Sequence, residues 1–439
     1  MGKGAPYPWG VRILVLGSGA REHALVTALA AEGAHRITAA PGNPGIGAEA
    51  EVLSLDVADP QLVSEFAADE GVELVVIGPE APLVAGVADA VRAAGIPVFG
   101  PDRAAAALEG SKTFAKEVMS RAQVPTGGAQ LASTVEEVER ALDAFGTPYV
   151  VKADGLAAGK GVLVTSDRAE AVQHAERWLP VGPVLVEEFL DGQEVSVFVL
   201  SDGEHVRALP PAQDFKRLGD GDTGPNTGGM GAYTPVPFLT ARFGSEDAFS
   251  RAVLEQVAQP VVDELRANGS PFVGLLYCGL IVTDAGIRVI EFNARFGDPE
   301  TQAVLTRLDA PLSELLFAAA TGRLGDAPDP LPISPRAAVT LVLASEGYPE
   351  QVQTGRHISG TAAVDRSHDG GVRVLHAATA RDGDALVATG GRVLNVVATG
   401  DTLADARALA YEGLEAIELP GGVYRTDIAR AAAEAEAGR

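Results

Sequence analysis

The sequence predicts an α/β and α+β protein, with a doubly wound parallel sheet at its N-terminal end, a larger mixed domain in the middle and a small α+β domain at its C-terminal end. Three observations predict this. Residues 11 to 100 alternate short β-rich runs with helical patterns. Mixed strands and helices follow, interrupted by Gly-rich loops at 155 to 161 and 219 to 231. From residue 332 short strands return, with one helix and an Ala/Glu-rich tail at 430 to 439. A chain of 439 residues is long enough for about three domains.

The first domain, residues 1 to 109, reads as Val11 to Gly17 strand, Arg21 to Glu32 helix, Arg36 to Pro41 strand, Gln61 to Glu70 helix, Leu74 to Gly78 strand and Leu83 to Ala94 helix. Such βαβ alternation requires parallel strands. The polar turns Gly17-Ser18-Gly19, Pro41-Gly42-Asn43 and Gly78-Pro79-Glu80 fall at the carboxyl ends of strands, where open α/β sheets bind small molecules. A second domain, residues 110 to 331, opens with a helix at Ser111 to Ala122. The third, 332 to 439, has strands at Ala337 to Leu343 and Arg392 to Val397 and a helix at Leu403 to Ile417. No internal repeat is visible, which argues against a solenoid.

Composition excludes several function classes. Asp and Glu outnumber Lys and Arg by 59 to 34, and a net charge of −25 repels nucleic-acid backbones and anionic lipid. Met1 to Gly10 lacks the apolar core of a signal peptide, and no apolar run reaches the roughly 20 residues that span a bilayer. The single Cys278 lies in the apolar run Gly274 to Val282 and is expected to be a buried small hydrophobe. A monomer in the cytoplasm is expected, with no nucleic-acid or membrane partner. Only six of the 34 basic residues are Lys, and five of them fall between Lys112 and Lys216. In a chain that prefers Arg, these lysines mark places where a compact ammonium is needed.

Four stretches carry chemistry. Gly17-Ser18-Gly19-Ala20-Arg21-Glu22 follows a strand and opens a helix, which suits a phosphate on the helix N-terminus with Arg21 as a forked donor, or simply a tight turn. Glu22 stands where a dinucleotide fingerprint has Gly or Ala, and the second strand ends without the acid that takes a ribose hydroxyl, so an NAD site is disfavoured. Asp154 to Val162 contains Gly155, Gly159, Lys160 and Gly161 but not the spacing of a P-loop. Its flanks read as strands, so it is either a glycine-rich hairpin over phosphates, where backbone N–H groups approach an anion closely, or a plain surface hairpin. Glu187-Glu188-Phe189-Leu190-Asp191-Gly192-Gln193-Glu194 is a solvated acidic turn or an adenosine site, with Glu194 accepting from the ribose. In Val289 to Glu300, strand alternation places Glu291, Asn293 and Arg295 on one face and Phe292 on the other. That set suits Mg²⁺ ions bridging ATP phosphates, or a structural salt-bridge ladder.

Taken in order, five stretches resemble the glycinamide ribonucleotide synthetase family of ATP-grasp ligases. They are Gly110-Ser111-Lys112, Val151 to Gly161, Glu187 to Leu190, Asp222 to Tyr233 and Arg295-Phe296-Gly297-Asp298-Pro299-Glu300. Arg21-Glu22-His23 and the turns at Asn43 and Glu80 match as well, so the resemblance spans roughly residues 11 to 430, with Ser18 and Phe215 as departures. It implies a central ATP-grasp domain with a mobile lid at roughly 127 to 194. It also implies ATP-dependent ligation of glycine to 5-phosphoribosylamine through a glycyl phosphate, giving glycinamide ribonucleotide in purine biosynthesis.

The residue roles follow from the same resemblance. Lys112 and Lys152 would meet the ATP phosphates under the 155 to 161 hairpin, and Glu187, Glu188, Phe189 and Glu194 would hold adenosine. Glu291 and Asn293 would bind Mg²⁺ or Mn²⁺. Arg295, Lys152 and Asp298 would serve catalysis. Gly17, Gly19, Arg21, Glu22, Asn43, Gly78, Pro79, Glu80, Asp214, Lys216, Asn226, Arg295 and Asp298 would contact glycine and phosphoribosylamine. The rival readings are another ATP-grasp ligase, a nucleotide-binding oxidoreductase and a nucleotide sensor.

Overall fold

The computed structural model describes residues 10–155, 161–367 and 371–438. Strands β1 (Arg12–Gly17), β2 (Arg36–Pro41), β3 (Glu51–Val52), β4 (Leu74–Ile77) and β5 (Val98–Phe99) form an all-parallel sheet in the order β3-β2-β1-β4-β5. Helices cover both faces, so β1 is apolar on both: Ile13 and Val15 join one core, Leu14 and Leu16 the other. The strand order reverses between β1 and β4, which puts the Gly17 and Gly78 turns at one crevice.

The single helix expected over 83 to 94 is two, Glu80–Ala85 and Val87–Ala93, broken at Gly86 with φ +89°. A side chain there would also meet the Arg103 guanidinium at 2.6 Å, so the break requires glycine.

The middle of the chain supplies β6 (Ala129–Ala132), β7 (Tyr149–Ala153), β8 (Val162–Thr165), β9 (Val184–Glu187), β10 (Gln193–Asp202), β11 (Val206–Ala208), β12 (Gln213–Asp214), β13 (Arg217–Gly219), β14 (Thr223–Asn226), β15 (Gly231–Thr234), β16 (Val273–Thr283) and β17 (Gly286–Asn293). The rest supplies β18 (Ala337–Ala344), β19 (His357–Ile358), β20 (Val372–His376), β21 (Thr379–Asp382), β22 (Ala385–Ala388) and β23 (Arg392–Gly400). One antiparallel sheet, β6-β9-β7-β8, carries helices Val135–Phe145 and Arg168–Trp178 and has a small core of its own. A second, β11-β10-β16-β17, faces it across a cleft.

A third sheet, β12-β15-β18-β23-β20, pairs strands from 213 to 234 with strands from 337 onward. The C-terminal strands therefore share a sheet with the middle of the chain. Among the described residues no helix is long and apolar enough to cross a membrane.

Candidate active site

The floor of the cleft is one face of the β10-β16-β17 sheet. Register places Ser196 beside Gly279 and Glu291, and Phe198 beside Tyr277 and Asn293. Alternation sends Val197, Cys278 and Phe292 to the opposite, buried face. Gly279 leaves room for the neighbouring acid, since a Cβ there would lie 3.1 Å from Glu291 Cγ. Glu291 and Asn293 are half-buried, and among the described residues neither side chain has a hydrogen bond or ion pair.

Opposite them, Lys152 on β7 and Glu187 on β9 share a face. Lys152 Nζ lies 2.9 Å from Glu187 Oε2 and donates to the Ile290 carbonyl at 3.4 Å, tying the small sheet to β17. The other Glu187 oxygen lies 3.5 Å from Lys116 Nζ. Lys112 Nζ donates to the Gly155 carbonyl at 3.0 Å. Burial lowers the pKa of Lys112, and Lys152 adds to this while Glu291 opposes it, so these three charges share one space. Asp154 accepts from the Lys112 and Thr113 backbone N–H groups and so fixes the start of helix Lys112–Arg121.

Gly155 and Gly161 flank the loop joining β7 to its antiparallel partner β8, whereas a P-loop would lead from a strand into a helix. Gly159 and Lys160 lie outside the described residues. Glu188 exchanges two hydrogen bonds with Gly128, its N–H to the carbonyl and its carboxylate to the N–H, and Phe189 is exposed on the connection to β10.

At the far end of the floor Lys216 Nζ sits 2.6 Å from Glu194 and 3.0 Å from Asp214. Burial alone would lower the Lys216 pKa, but the two carboxylates hold it well above its ordinary value. Burial raises Asp214. Below them the Tyr277 hydroxyl links Ser196 Oγ (2.7 Å) to Glu300 Oε1 (2.9 Å), and burial, with Asp214 nearby, pushes Glu300 up to about 7. Asn226 pairs with Arg217 across β13–β14, and Thr227 beside it donates to the Lys216 carbonyl.

Arg295 departs from its expected place. Strand β17 ends at Asn293, so Arg295 lies beyond the alternation. It turns to the N-terminal domain, with Nη2 3.0 Å from Glu109 and Nε 3.5 Å from Glu80, while Glu291 is unpaired among the described residues. The glycine turn differs as well: the anion at the helix N-terminus is the chain's own Glu22, which accepts from the Gly19 N–H at 2.6 Å and from Arg21 Nε. A Cβ on Gly17 would meet Glu22 at 2.5 Å and one on Gly78 at 2.1 Å, so these glycines make room for that carboxylate. Pro79 precedes helix Glu80–Ala85. Asn43 is spent internally, its carbonyl accepting from Gly45 and Ile46 and its amide donating to the carbonyls of Ser18 and His376. The His376 N–H in turn donates to His23 Nδ1 at 2.7 Å, joining the first domain to the last. Asp298 accepts from Gln302 and from Arg392, which also donates to the Gly228 carbonyl.

Family models for the phosphoribosylglycinamide synthetase N domain, ATP-grasp (A) domain and C domain match residues 11–109, 110–301 and 338–431. The chain belongs to the phosphoribosylglycinamide synthetase family. Phosphoribosylamine–glycine ligase of Leifsonia xyli is 62% identical over 423 residues, covering 95% of this chain and 99% of the relative. The Streptomyces coelicolor ligase is 56% identical over 429 residues, 97% of this chain and 100% of its own. The crystal structure of the Thermotoga maritima ligase superposes with a TM-score of 0.80 at 33% identity, over 95% of this chain and 100% of that one. As a member of this family the chain is an ATP-dependent ligase of purine biosynthesis that joins glycine to phosphoribosylamine and uses a divalent metal.

Several residues that line this synthetase cleft escaped the sequence reading. Lys116 was among the five clustered lysines, one turn from Lys112, and that spacing was its signal. Glu109, Tyr277 and Arg392 are brought in by pairings distant in sequence and had no local signal, whereas Glu300 lay in the Arg295 to Glu300 hexamer but was given no role.

Proposed function

We propose that ligation runs through a glycyl phosphate, with Mg²⁺ or Mn²⁺ held by Glu291 and Asn293. The observation that carries the reading is this pair: two hard oxygen donors side by side on β17, unpartnered among the described residues, in the charge field of Lys112 and Lys152. Among the described residues no three His, Cys, Asp or Glu side chains cluster to hold a metal by themselves. A carboxylate and an amide fit an ion that keeps water and substrate oxygens in its shell, as Mg²⁺ does. Bound there, it would neutralise charge on the transferring phosphoryl group.

The remaining roles belong to the chain. A carboxylate is a poor electrophile, so one glycine oxygen attacks the γ-phosphorus and ADP leaves. The amine of phosphoribosylamine then attacks the acyl carbon, phosphate departs with that oxygen, and the amine gives up a proton. No protein nucleophile is needed; positioning and charge carry the phosphoryl step. Lys152, Lys112 and, beyond the described residues, Lys160 meet the phosphates, while Glu187 and Lys116 hold Lys152 in place. The backbone at 188–190 reads adenine. Glu194, about half exposed, keeps an oxygen for the ribose. Arg295 meets the glycyl oxygens, and Asp214, Lys216, Asn226 and Asp298 line the amine pocket. Arg21 and Glu80 complete its N-terminal wall. We place the enzyme in the cytoplasm as a monomer, in keeping with its lone, buried cysteine.

Glycine labelled with ¹⁸O in its carboxylate tests the route. One label should pass into the released phosphate. Unlabelled phosphate beside labelled product would overturn the glycyl phosphate.

A further inference from the structure

We infer that Glu109 is a positioning residue that aims Arg295 at the reacting oxygens. The inference rests on the reading of Arg295 given above. Glu109 is the penultimate residue of helix Arg103–Gly110, and its side chain is 7% exposed. Its two oxygens do different work. Oε1 lies 3.0 Å from Arg295 Nη2, and Oε2 accepts from the Ala294 backbone N–H at 2.8 Å. One carboxylate thus fixes both the exit of β17 and the head of the side chain that follows.

The rest of the guanidinium is equally constrained. Nη1 donates to the Phe296 carbonyl at 3.1 Å, and Arg21 Nη1 donates to the same oxygen at 3.1 Å. Nε, by contrast, is buried and among the described residues has no hydrogen-bond partner; the Glu80 oxygen 3.5 Å away, on a side chain 43% exposed, makes an ion pair but no hydrogen bond. Buried guanidinium donors are normally satisfied, so an unmet N–H beside an exposed carboxylate is a donor kept for an arriving oxygen. Glu109 holds the far corner of the fork so that the near edge presents Nε. Burial raises the Glu109 pKa, and Arg295 and the Ala294 N–H only partly draw it back.

The helix end that carries Glu109 runs through Gly110 and Ser111 into the helix that begins at Lys112. The cation beside the acyl oxygens and the cation beside the phosphates are therefore set from one junction. A small displacement there misplaces both relative to an in-line transfer.

A double-mutant cycle between Glu109→Gln and Arg295→Lys, read as kcat and KM for glycine at saturating ATP and as KM for ATP at saturating glycine, tests this. Glu109→Gln should lower kcat by about tenfold to a hundredfold, the cost of a misplacement near 1 Å, with KM for ATP changed less than about threefold. In the Arg295→Lys background the same change should cost less than about threefold, because the group it aims is gone. Equal losses in both backgrounds would show that Glu109 acts on folding or elsewhere and would overturn the inference. An Arg295→Lys enzyme with wild-type kcat would instead overturn the reading of Arg295, so the two failures are distinguishable. If Glu109→Gln does not fold, Glu109→Asp, one methylene short with its charge kept, enters the same cycle under the same criteria.

Discussion

Replacing Glu291 by Gln separates a metal ligand from a structural acid, and Glu187 supplies the internal comparison. Glu291 has no ion pair or hydrogen bond among the described residues. Its neutral isostere should change stability by no more than about 0.5 kcal/mol, as for a surface substitution. Glu187 is buried, 2.9 Å from Lys152 and 3.5 Å from Lys116. Neutralising it takes the carboxylate from two ammonium groups that keep only neutral acceptors, and should cost about 3–5 kcal/mol, as for a broken buried pair, lowering Tm by several degrees. The catalytic effects of Glu291→Gln run the other way. With the one carboxylate of the pair replaced by an uncharged amide oxygen, half-saturating Mg²⁺ should rise about tenfold or more. At saturating metal, kcat should fall on the order of a hundredfold, about 2.7 kcal/mol of lost charge stabilisation. The assay is a Mg²⁺ titration of glycine-dependent ADP formation, with thermal melts of both variants. Superimposable titrations of wild type and Glu291→Gln would refute the assignment, and a large drop in Tm for Glu291→Gln would show a structural role that the geometry does not contain.

Three further outcomes are expected. Lys152→Arg keeps the charge, but its fork does not fit a buried slot between Glu187 and the Ile290 carbonyl; kcat/KM for ATP should fall at least about tenfold, and near-normal activity would remove the argument from compact charge. Burial holds His376 at about 4 against its ordinary 6.5, so it binds a proton more readily unfolded than folded. Its contribution is present above pH 6.5 and lost as pH falls toward 4, roughly 3 kcal/mol in all. Urea unfolding followed across that window should be less pH-dependent in His376→Gln, and identical pH profiles would discard the account. Gly78→Ala drives a methyl into Glu22 at 2.1 Å, which should destabilise the N-terminal sheet by about 1–3 kcal/mol; an unchanged melting temperature would mean that Glu22 has room to move.

What the sequence made legible was local. Short β-rich runs and helical patterns placed β1, β2 and β4 and their turns within a residue or two, because these strands lie in a parallel sheet covered by helices. Alternation paired Glu291 with Asn293 because β17 buries one face and leaves the other half-buried. It failed for Arg295 because a strand's end is set by tertiary pairing; here the Ala294 N–H goes to Glu109 and not to a ladder. The break at Gly86 was hidden inside an apolar helical pattern. Glu22 also serves as the counter-charge of its own turn, a contact visible only once Gly17 and Gly78 are neighbours in space. Residues paired across 185 positions, such as Ala294 with Glu109, leave no trace in spacing.

The contact between His23 and His376 has a consequence for synthesis. Its partners are 353 residues apart, and the Asn43 amide meets the His376 carbonyl across 333. At 5–20 residues per second a ribosome needs on the order of 20–70 s to bridge that gap. During that interval the first domain can form its sheet, since all five strands lie before residue 100, but the His23 ring nitrogen and the Asn43 amide have no partner from downstream. The nascent chain thus carries an unfinished crevice through most of its translation. A chain halted before residue 376 would leave the first domain without these two contacts, a species for chaperones to shield and proteases to find.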